Sequence, residues 1–160
     1  MNKKAVIDAV VEKLAAEADG IKLSATKTRE GATHEEARPE NDKDTRATEA
    51  SYLARGLAQR YEDLQEAIQR IKFMELKSFG ADDEIQVSAL VSVAVDGEAP
   101  QFRFLVPVAG GTEVCVRETL VRLVTPASPV GRALLGKRRG DDFVLRVAGR
   151  ERDYEIIDVH

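Results

Sequence analysis

The spacing of apolar residues changes once along the chain, near residue 80. Before that point, apolar or small residues recur at alternating steps of four and three, which is the pattern of a coiled-coil seam. The first seam comprises Ile7, Val11, Leu14, Ala18, Ile21, Ala25, Thr28 and Ala32, and the second comprises Ala50, Leu53, Leu57, Tyr61, Leu64, Ile68 and Ile71. After Phe79-Gly80 the period falls to two, which is typical of strands. The pattern predicts a helical domain over 1–78 and a β-rich domain over 79–160.

A turn is predicted between the two seams, at residues 39–45. Pro39 cannot continue a helix, and Asp44 or Thr45 can cap the helix that follows. If the chain folds back between Asp42 and Lys43, the two seams face each other and their residues become smaller toward the turn. We therefore expect an antiparallel coiled-coil hairpin whose tip carries Asp42 and Asp44.

The C-terminal half shows short strand patterns and one short helix. The strand patterns cover 84–91, 102–108, 113–116, 120–124, 143–147 and 154–159. Ser128 is a favourable N-cap before Pro129, and Gly136 is a favourable stop, so a helix is predicted over 130–135. The fold class is therefore α+β, a helical hairpin followed by a small β domain.

Composition and charge limit the kinds of partner. The chain has 160 residues, which is long enough for two small folded domains. Hydrophobic residues make up 43% and charged residues 32%. The net charge is −4, aromatic residues make up only 5%, and tryptophan is absent. A protein that binds duplex nucleic acid directly is usually basic, and single-strand binding depends on aromatic stacking. The expected partner is therefore another protein.

The single cysteine and the N-terminal residues exclude several further classes. Cys115 alone allows neither an internal disulfide nor a cysteine-based zinc site, and its position between Val114 and Val116 predicts burial. Asp8 and Glu12 interrupt the first apolar stretch, which is unlike a signal peptide. No apolar run reaches the roughly 20 residues of a membrane span. We expect a soluble cytoplasmic protein without membrane contact.

Three segments resemble the GreA/GreB transcription elongation factors of bacteria. They are Ser128-Pro129-Val130-Gly131-Arg132-Ala133-Leu134-Leu135-Gly136-Lys137 with Gly140-Asp141-Asp142, the final stretch Tyr154-Glu155-Ile156-Ile157-Asp158-Val159, and Glu49-Ala50-Ser51-Tyr52-Leu53-Ala54-Arg55. The resemblance implies a long N-terminal coiled-coil hairpin over 1–78 and an FKBP-like antiparallel β domain with a short helix over 79–160.

The same resemblance implies a function that depends on RNA polymerase. In this family the C-terminal domain docks at the rim of the polymerase secondary channel, and the coiled coil brings its acidic tip to the polymerase active site. The tip helps to hold a catalytic Mg²⁺, and polymerase then cleaves backtracked RNA. The factor is thus no enzyme itself and has no cofactor or small-molecule substrate of its own. It meets the RNA 3′ end only within the polymerase complex.

The tip of this chain departs from the family pattern. Alignment on Tyr52 places the two acidic positions of the family at Thr45 and Thr48, which carry no carboxylate. The nearest acids are Asp42 and Asp44, which we assign as the tip residues that assist polymerase and share its Mg²⁺. Asp44 can also be only a helix cap, and Asp42 only a solvated turn residue.

Other functions stay open beside transcript cleavage. One is a Gre-like protein that binds the secondary channel and modulates or inhibits polymerase without cleavage. Another is a coiled-coil interaction module for a different protein. A prolyl isomerase is suggested only by the FKBP-like topology, and the scarcity of aromatic residues argues against it.

Overall fold

The computed structural model describes residues 2–33, 46–80, 82–147 and 149–160. The predicted tip at 39–45, with Asp42 and Asp44, lies outside the described residues. The chain divides into two compact units, one formed by Glu12–Gln69 and the other by Met1–Val11 together with Arg70–His160. In the described part of the chain, no helix combines the length and apolar character needed to cross a membrane.

Two long helices occupy the N-terminal half, as predicted. Helix α1 spans Lys3–Thr33 and α2 spans Arg46–Lys72. Within the unit Glu12–Gln69, the predicted seam residues Leu14, Ala18, Leu64 and Ile68 are buried, whereas Leu53 is 54% exposed. An ion pair of 2.8 Å joins Glu17 of α1 to Arg60 of α2. The seam residues are thus packed away from solvent at these four positions, whereas the Leu53 side chain is exposed to solvent.

A six-stranded sheet forms the framework of the second unit. Its strands are β1 (Leu90–Val95), β2 (Gln101–Leu105), β3 (Glu113–Val116), β4 (Thr119–Val124), β5 (Asp142–Val147) and β6 (Arg150–Val159), and a short helix, α3, spans Pro129–Leu134. The strand order is β3-β4-β2-β1-β6-β5.

One strand pair differs from the antiparallel sheet expected from the sequence. Strands β2 and β4 are parallel, with Phe104 opposite Leu123, whereas all other neighbouring strands are antiparallel. The reason is that β3 and β4 form a hairpin whose second strand, not its first, lies beside β2. The α+β class is confirmed, and the sheet is mixed.

The first strand starts later than its alternating pattern indicates. Strand β1 begins at Leu90, whereas the predicted strand begins at residue 84. The backbone of Ile85 is bonded outside any ladder, because its N–H donates to Lys137 O at 2.8 Å and its C=O accepts from Gly136 N at 2.9 Å. Ser88 has a φ of 79° and interrupts extended backbone. Residues 84–89 therefore connect to the end of α3 instead of extending β1.

Apolar side chains cover both faces of β1. Its six residues are all buried and five of them are apolar, which is typical of a central strand. One face contributes to a core cluster consisting of Ile85, Ala89, Val91, Val93, Val95, Leu105, Val124, Leu134, Tyr154, Ile156 and Val159. The other face carries Leu90 in register with Phe104, which are both fully buried. Val6, Val10 and Ile71, at the ends of the long helices, are fully buried in the same unit.

Lys3 connects the first turn of α1 to three segments of its unit. Its ammonium donates hydrogen bonds to the carbonyl oxygens of Ser88 (2.9 Å), His160 (3.0 Å) and Lys77. The same group lies 4.8 Å from the centre of the Phe79 ring. Burial lowers the pKa of the Lys3 amine from its ordinary value. One side chain thereby fixes the start of α1 through four contacts.

The predicted burial of Cys115 is wrong. Strand β3 lies at the edge of the sheet, and its side chains alternate between a buried Val114 and an exposed Cys115. Because neighbouring residues of a strand point to opposite faces, the burial of Val114 directs the thiol outward. The apolar neighbours of Cys115 therefore indicate a strand but not the face on which the cysteine lies.

Candidate functional site

The segment around α3 contains most of the family-like residues, and Ser128 begins it. Ser128 has extended backbone, and its side-chain oxygen accepts a hydrogen bond from Gly131 N at 3.1 Å. The same hydroxyl donates to Thr125 O at 2.8 Å. Pro129 occupies the first helical position, where its missing N–H costs nothing. These contacts confirm the predicted cap and fix the direction in which α3 leaves β4.

Gly131 is required by a close approach of backbone. A Cβ atom at this position would lie 2.0 Å from Thr125 O, far inside any permitted contact. The helix can therefore pack against residue 125 only with glycine here. Leu134, one turn later, is fully buried in the core cluster.

The residues after α3 form two turns that lead into β5. Gly136 has a φ of 75° and Gly140 a φ of 85°, which are values that glycine adopts without strain. The Asp141 side chain accepts a hydrogen bond from Arg138 N at 2.8 Å, and the Asp141 C=O accepts from Ile156 N at 2.9 Å. The conspicuous sequence pattern thus encodes a helix and its two flanking turns.

Basic side chains follow α3 on the exposed surface. Arg138 pairs with Glu84 at 2.9 Å, and Arg139 lies 3.8 Å from Asp158. All four side chains are about half exposed, and ion pairs of this kind contribute about 0–1 kcal/mol. Either arginine can therefore exchange its carboxylate for one on a partner protein at little cost.

The acidic residues assigned to the tip have no described geometry. Asp42, Asp44 and Thr45 lie outside the described residues, while Thr48 and Glu49 are exposed in the first turn of α2. In the described ranges, His, Cys, Asp and Glu side chains form no group of three or more that could hold a metal ion. The assignment of Asp42 and Asp44 to a shared Mg²⁺ stays a prediction.

Sequence reasoning missed a group of arginines on the sheet. Arg103, Arg122, Arg150 and Arg152 line one cavity of about 570 Å³. They come from three different strands, so no local motif announces them. The only signal in the sequence is the alternation of charge from Arg150 to Asp153, which on a strand segregates the two signs to opposite faces.

Comparison with known proteins places the C-terminal half in a family. Residues 82–160 match the family model described as transcription elongation factor, GreA/GreB, C-terminal. A GreA of Xylella fastidiosa (strain M12) is 28% identical over 100 residues, which are 62% of this chain and 60% of that protein. A GreA of Halorhodospira halophila is 49% identical over 37 residues, or 23% of each chain.

A comparison with solved structures also finds proteins named for GreA. The crystal structure of GreA factor homolog 1 (Gfh1) of Thermus thermophilus aligns over 94% of both chains with a TM-score of 0.39 and 21% identity. The present chain spans about 60% of the length of the curated relatives that head the comparison. The family match covers α3, its two turns and the final strand, which are two of the three segments that resemble the family in sequence, and the third, at 49–55, lies outside it. Through residues 82–160, the chain therefore belongs to the GreA/GreB family of transcription elongation factors.

Proposed function

We propose that this protein is a transcription elongation factor that binds RNA polymerase at its secondary channel and stimulates cleavage of backtracked RNA. The domain over 79–160 docks at the channel rim, and the hairpin over 1–78 carries its tip toward the polymerase active site. The chain acts as an accessory to the cleavage activity of polymerase and is not a catalyst itself. Such a role requires a location in the bacterial cytoplasm.

The observation that carries this proposal is the family match over residues 82–160. The two long helices support it, because 31 and 27 residues at about 1.5 Å per residue correspond to about 46 and 40 Å. Helices of this length exceed what a core of this size requires. A reach of tens of ångströms is the property that a channel-entering element needs.

Asp42 and Asp44 are proposed as the tip residues that assist polymerase. Carboxylate oxygens are the ligands that Mg²⁺ prefers, and phosphoryl transfer by two metal ions depends on their placement. The two aspartates would supply oxygens to an ion held jointly with polymerase. They would also have to replace the acidic positions of the family that correspond to Thr45 and Thr48 in this chain.

Those two threonines favour a second candidate function. A hydroxyl is a weaker ligand for Mg²⁺ than a carboxylate, so a tip with threonine at the family positions can occupy the channel without completing the metal shell. In this alternative the protein modulates or inhibits polymerase and does not stimulate cleavage. The two functions predict the same binding partner, but only the first predicts faster cleavage of backtracked RNA.

A cleavage assay on backtracked transcription complexes separates these functions. Purified bacterial polymerase is stalled on a template with labelled RNA, and release of short 3′ fragments is followed in Mg²⁺ with and without the protein. We expect the full chain to accelerate release and Asp42→Ala/Asp44→Ala to abolish the acceleration. Binding of both proteins to polymerase is measured separately by co-sedimentation.

A matched control removes one acidic residue from α1 and one from α2, away from the predicted tip. Asp19→Ala/Glu62→Ala changes the net charge equally, and both side chains are exposed in the described structure. The control is expected to keep full acceleration. Binding without acceleration would reject cleavage and leave the modulator. Absence of binding would reject both and favour an interaction module for another protein.

A further inference from the structure

Four arginines converge on one face of the sheet. Arg103 of β2 is directly opposite Arg122 of β4 in the parallel pair. Arg150 and Arg152 lie on β6, on the same strand face as Tyr154, which belongs to the core cluster on that side of the sheet. All four side chains border a single cavity of about 570 Å³. The sheet therefore concentrates positive charge at the end of its core-bearing face.

Only two of these arginines are neutralised. Arg122 Nε donates to Glu113 Oε1 at 2.6 Å, and Arg152 lies 3.6 Å from Asp96. Within the described part of the chain, neither Arg103 nor Arg150 forms an ion pair. Four guanidinium groups thus share two carboxylates, which leaves an excess of two positive charges.

Arg103 is the most buried of the four. It is a buried charged residue, 9% exposed, whose recorded bonds go to the neutral acceptors Gln101 Oε1 (2.5 Å) and Phe102 O (3.2 Å). Burial, and secondly the charge of Arg122, lower the pKa of Arg103 below its ordinary value, and the smaller opposing effects of Tyr154 and Glu113 do not cancel them. Like charges that face each other across two strands destabilise a sheet, and a desolvated cation costs free energy unless an anion offsets it. This arrangement is the one that a bound anion would stabilise.

We propose that the cavity bounded by Arg103, Arg122, Arg150 and Arg152 is a binding site for a small ligand that carries a phosphate or pyrophosphate group. Planar guanidinium groups bind phosphate through paired hydrogen bonds, and several of them match a multiply charged anion. A cavity of this volume accommodates a small phosphorylated molecule. The Tyr154 ring is already stacked on Phe143 at 4.9 Å, so the phosphate and not an aromatic group of the ligand supplies the affinity.

The test is a calorimetric titration of the full chain with pyrophosphate, with inorganic phosphate as a second probe. Ionic strength is held constant, because exposed charges are screened over about 10 Å at 0.1 M salt. We expect saturable 1:1 binding, stronger for pyrophosphate than for phosphate. Arg150→Gln should weaken it about tenfold or more, since a hydrogen bond to a charged group is lost. Arg150 is exposed, so this variant is expected to fold.

Arg146→Gln is the matched control for this titration. Arg146 lies on the neighbouring strand β5 and alternates with Leu145, which packs against the core cluster, so it belongs to the opposite face. The substitution Arg146→Gln removes the same charge as Arg150→Gln, and we expect it to change the affinity for pyrophosphate less than twofold. Equal weakening by both variants, or no saturable binding by the wild type at millimolar pyrophosphate, would overturn the proposal. Tighter binding of a hexaglutamate peptide than of pyrophosphate would also overturn it, in favour of an acidic protein partner.

Discussion

Replacement of Lys3 by methionine is the substitution whose effect the structure defines most fully. The change keeps a long unbranched side chain and removes the ammonium that bonds to the carbonyls of Lys77, Ser88 and His160. Methionine can still pack beside Phe79, where the ammonium now lies 4.8 Å from the ring centre. The perturbation therefore isolates the polar contacts of one atom.

The expected cost follows from where the three carbonyls lie. The bonds to Ser88 and His160 are part-buried and the bond to Lys77 is exposed, so water can replace only the last. Ser88 O is left without a donor, which costs about 1 kcal/mol or somewhat more. His160 O keeps its bond from Leu90 N, so the loss of its second bond costs about 0.5–1 kcal/mol, and the lost cation–π contact adds about 0.5 kcal/mol. Relief of the ammonium desolvation, which lowers the pKa of Lys3, offsets part of this. We expect Lys3→Met to lower the free energy of unfolding by about 2 kcal/mol, or the melting temperature by about 6 °C.

Urea denaturation followed by circular dichroism measures the change, and amide hydrogen exchange shows where it acts. Leu90 N donates to His160 O at 3.0 Å, so faster exchange of the Leu90 amide is expected in the variant. The control is Lys4→Met, whose ion pair with Asp8 is 4.0 Å long and exposed, and whose effect should stay within about 0.5 kcal/mol. Equal stabilities of the Lys3 and Lys4 variants would refute the assignment of Lys3 as an anchor.

Three further substitutions or reactions test other parts of the structure. Gly131→Ala should destabilise by about 3 kcal/mol or more, because the new Cβ meets Thr125 O at 2.0 Å, and a melting temperature within 2 °C of wild type would contradict this contact. Gly56→Ala should stabilise by up to about 1 kcal/mol, because no atom lies within 4 Å of the added Cβ and alanine favours helix, and any loss of stability on urea denaturation would argue against the open site. Cys115 should react with a thiol reagent in the native protein as fast as in urea, because its side chain is exposed. Slower reaction in the native state would show that the thiol is buried.

Periodicity was sufficient for the helices because their seams are long. The seam residues Ile7, Leu14 and Ala18 of α1, and Leu64, Ile68 and Ile71 of α2, are all buried. Short strand patterns carry less information, since a few alternating residues do not reveal where the backbone bonds go. The segment from residue 84 to 89 alternates in sequence, yet Ile85 pairs with the end of α3 and Ser88 has a positive φ. Tertiary contacts, and not the local pattern, decide where β1 begins.

The arginine cavity and the parallel strand pair could not be predicted from the sequence for a different reason. Both depend on the order of strands in the sheet, and that order is set by how β4 inserts between β2 and β3. Arg103 and Arg122 are distant in sequence from Arg150 and Arg152, so only the assembled sheet brings them together. A sequence can indicate which face of a strand carries charge, but it does not indicate which strands are neighbours.

The residues that identify the family have mainly structural roles here, and this separates the evidence for the fold from the evidence for the activity. Ser128 caps α3, Gly131 permits its close packing, and Leu134 fills the core. Gly136 and Asp141 form the turns that follow. A chain could keep all of these residues and still lose transcript cleavage, because none of them belongs to the helical tip. The family match therefore supports the assignment of residues 82–160. The choice between cleavage and modulation depends on whether the full chain accelerates release of 3′ fragments, and the variant Asp42→Ala/Asp44→Ala tests whether the tip is responsible.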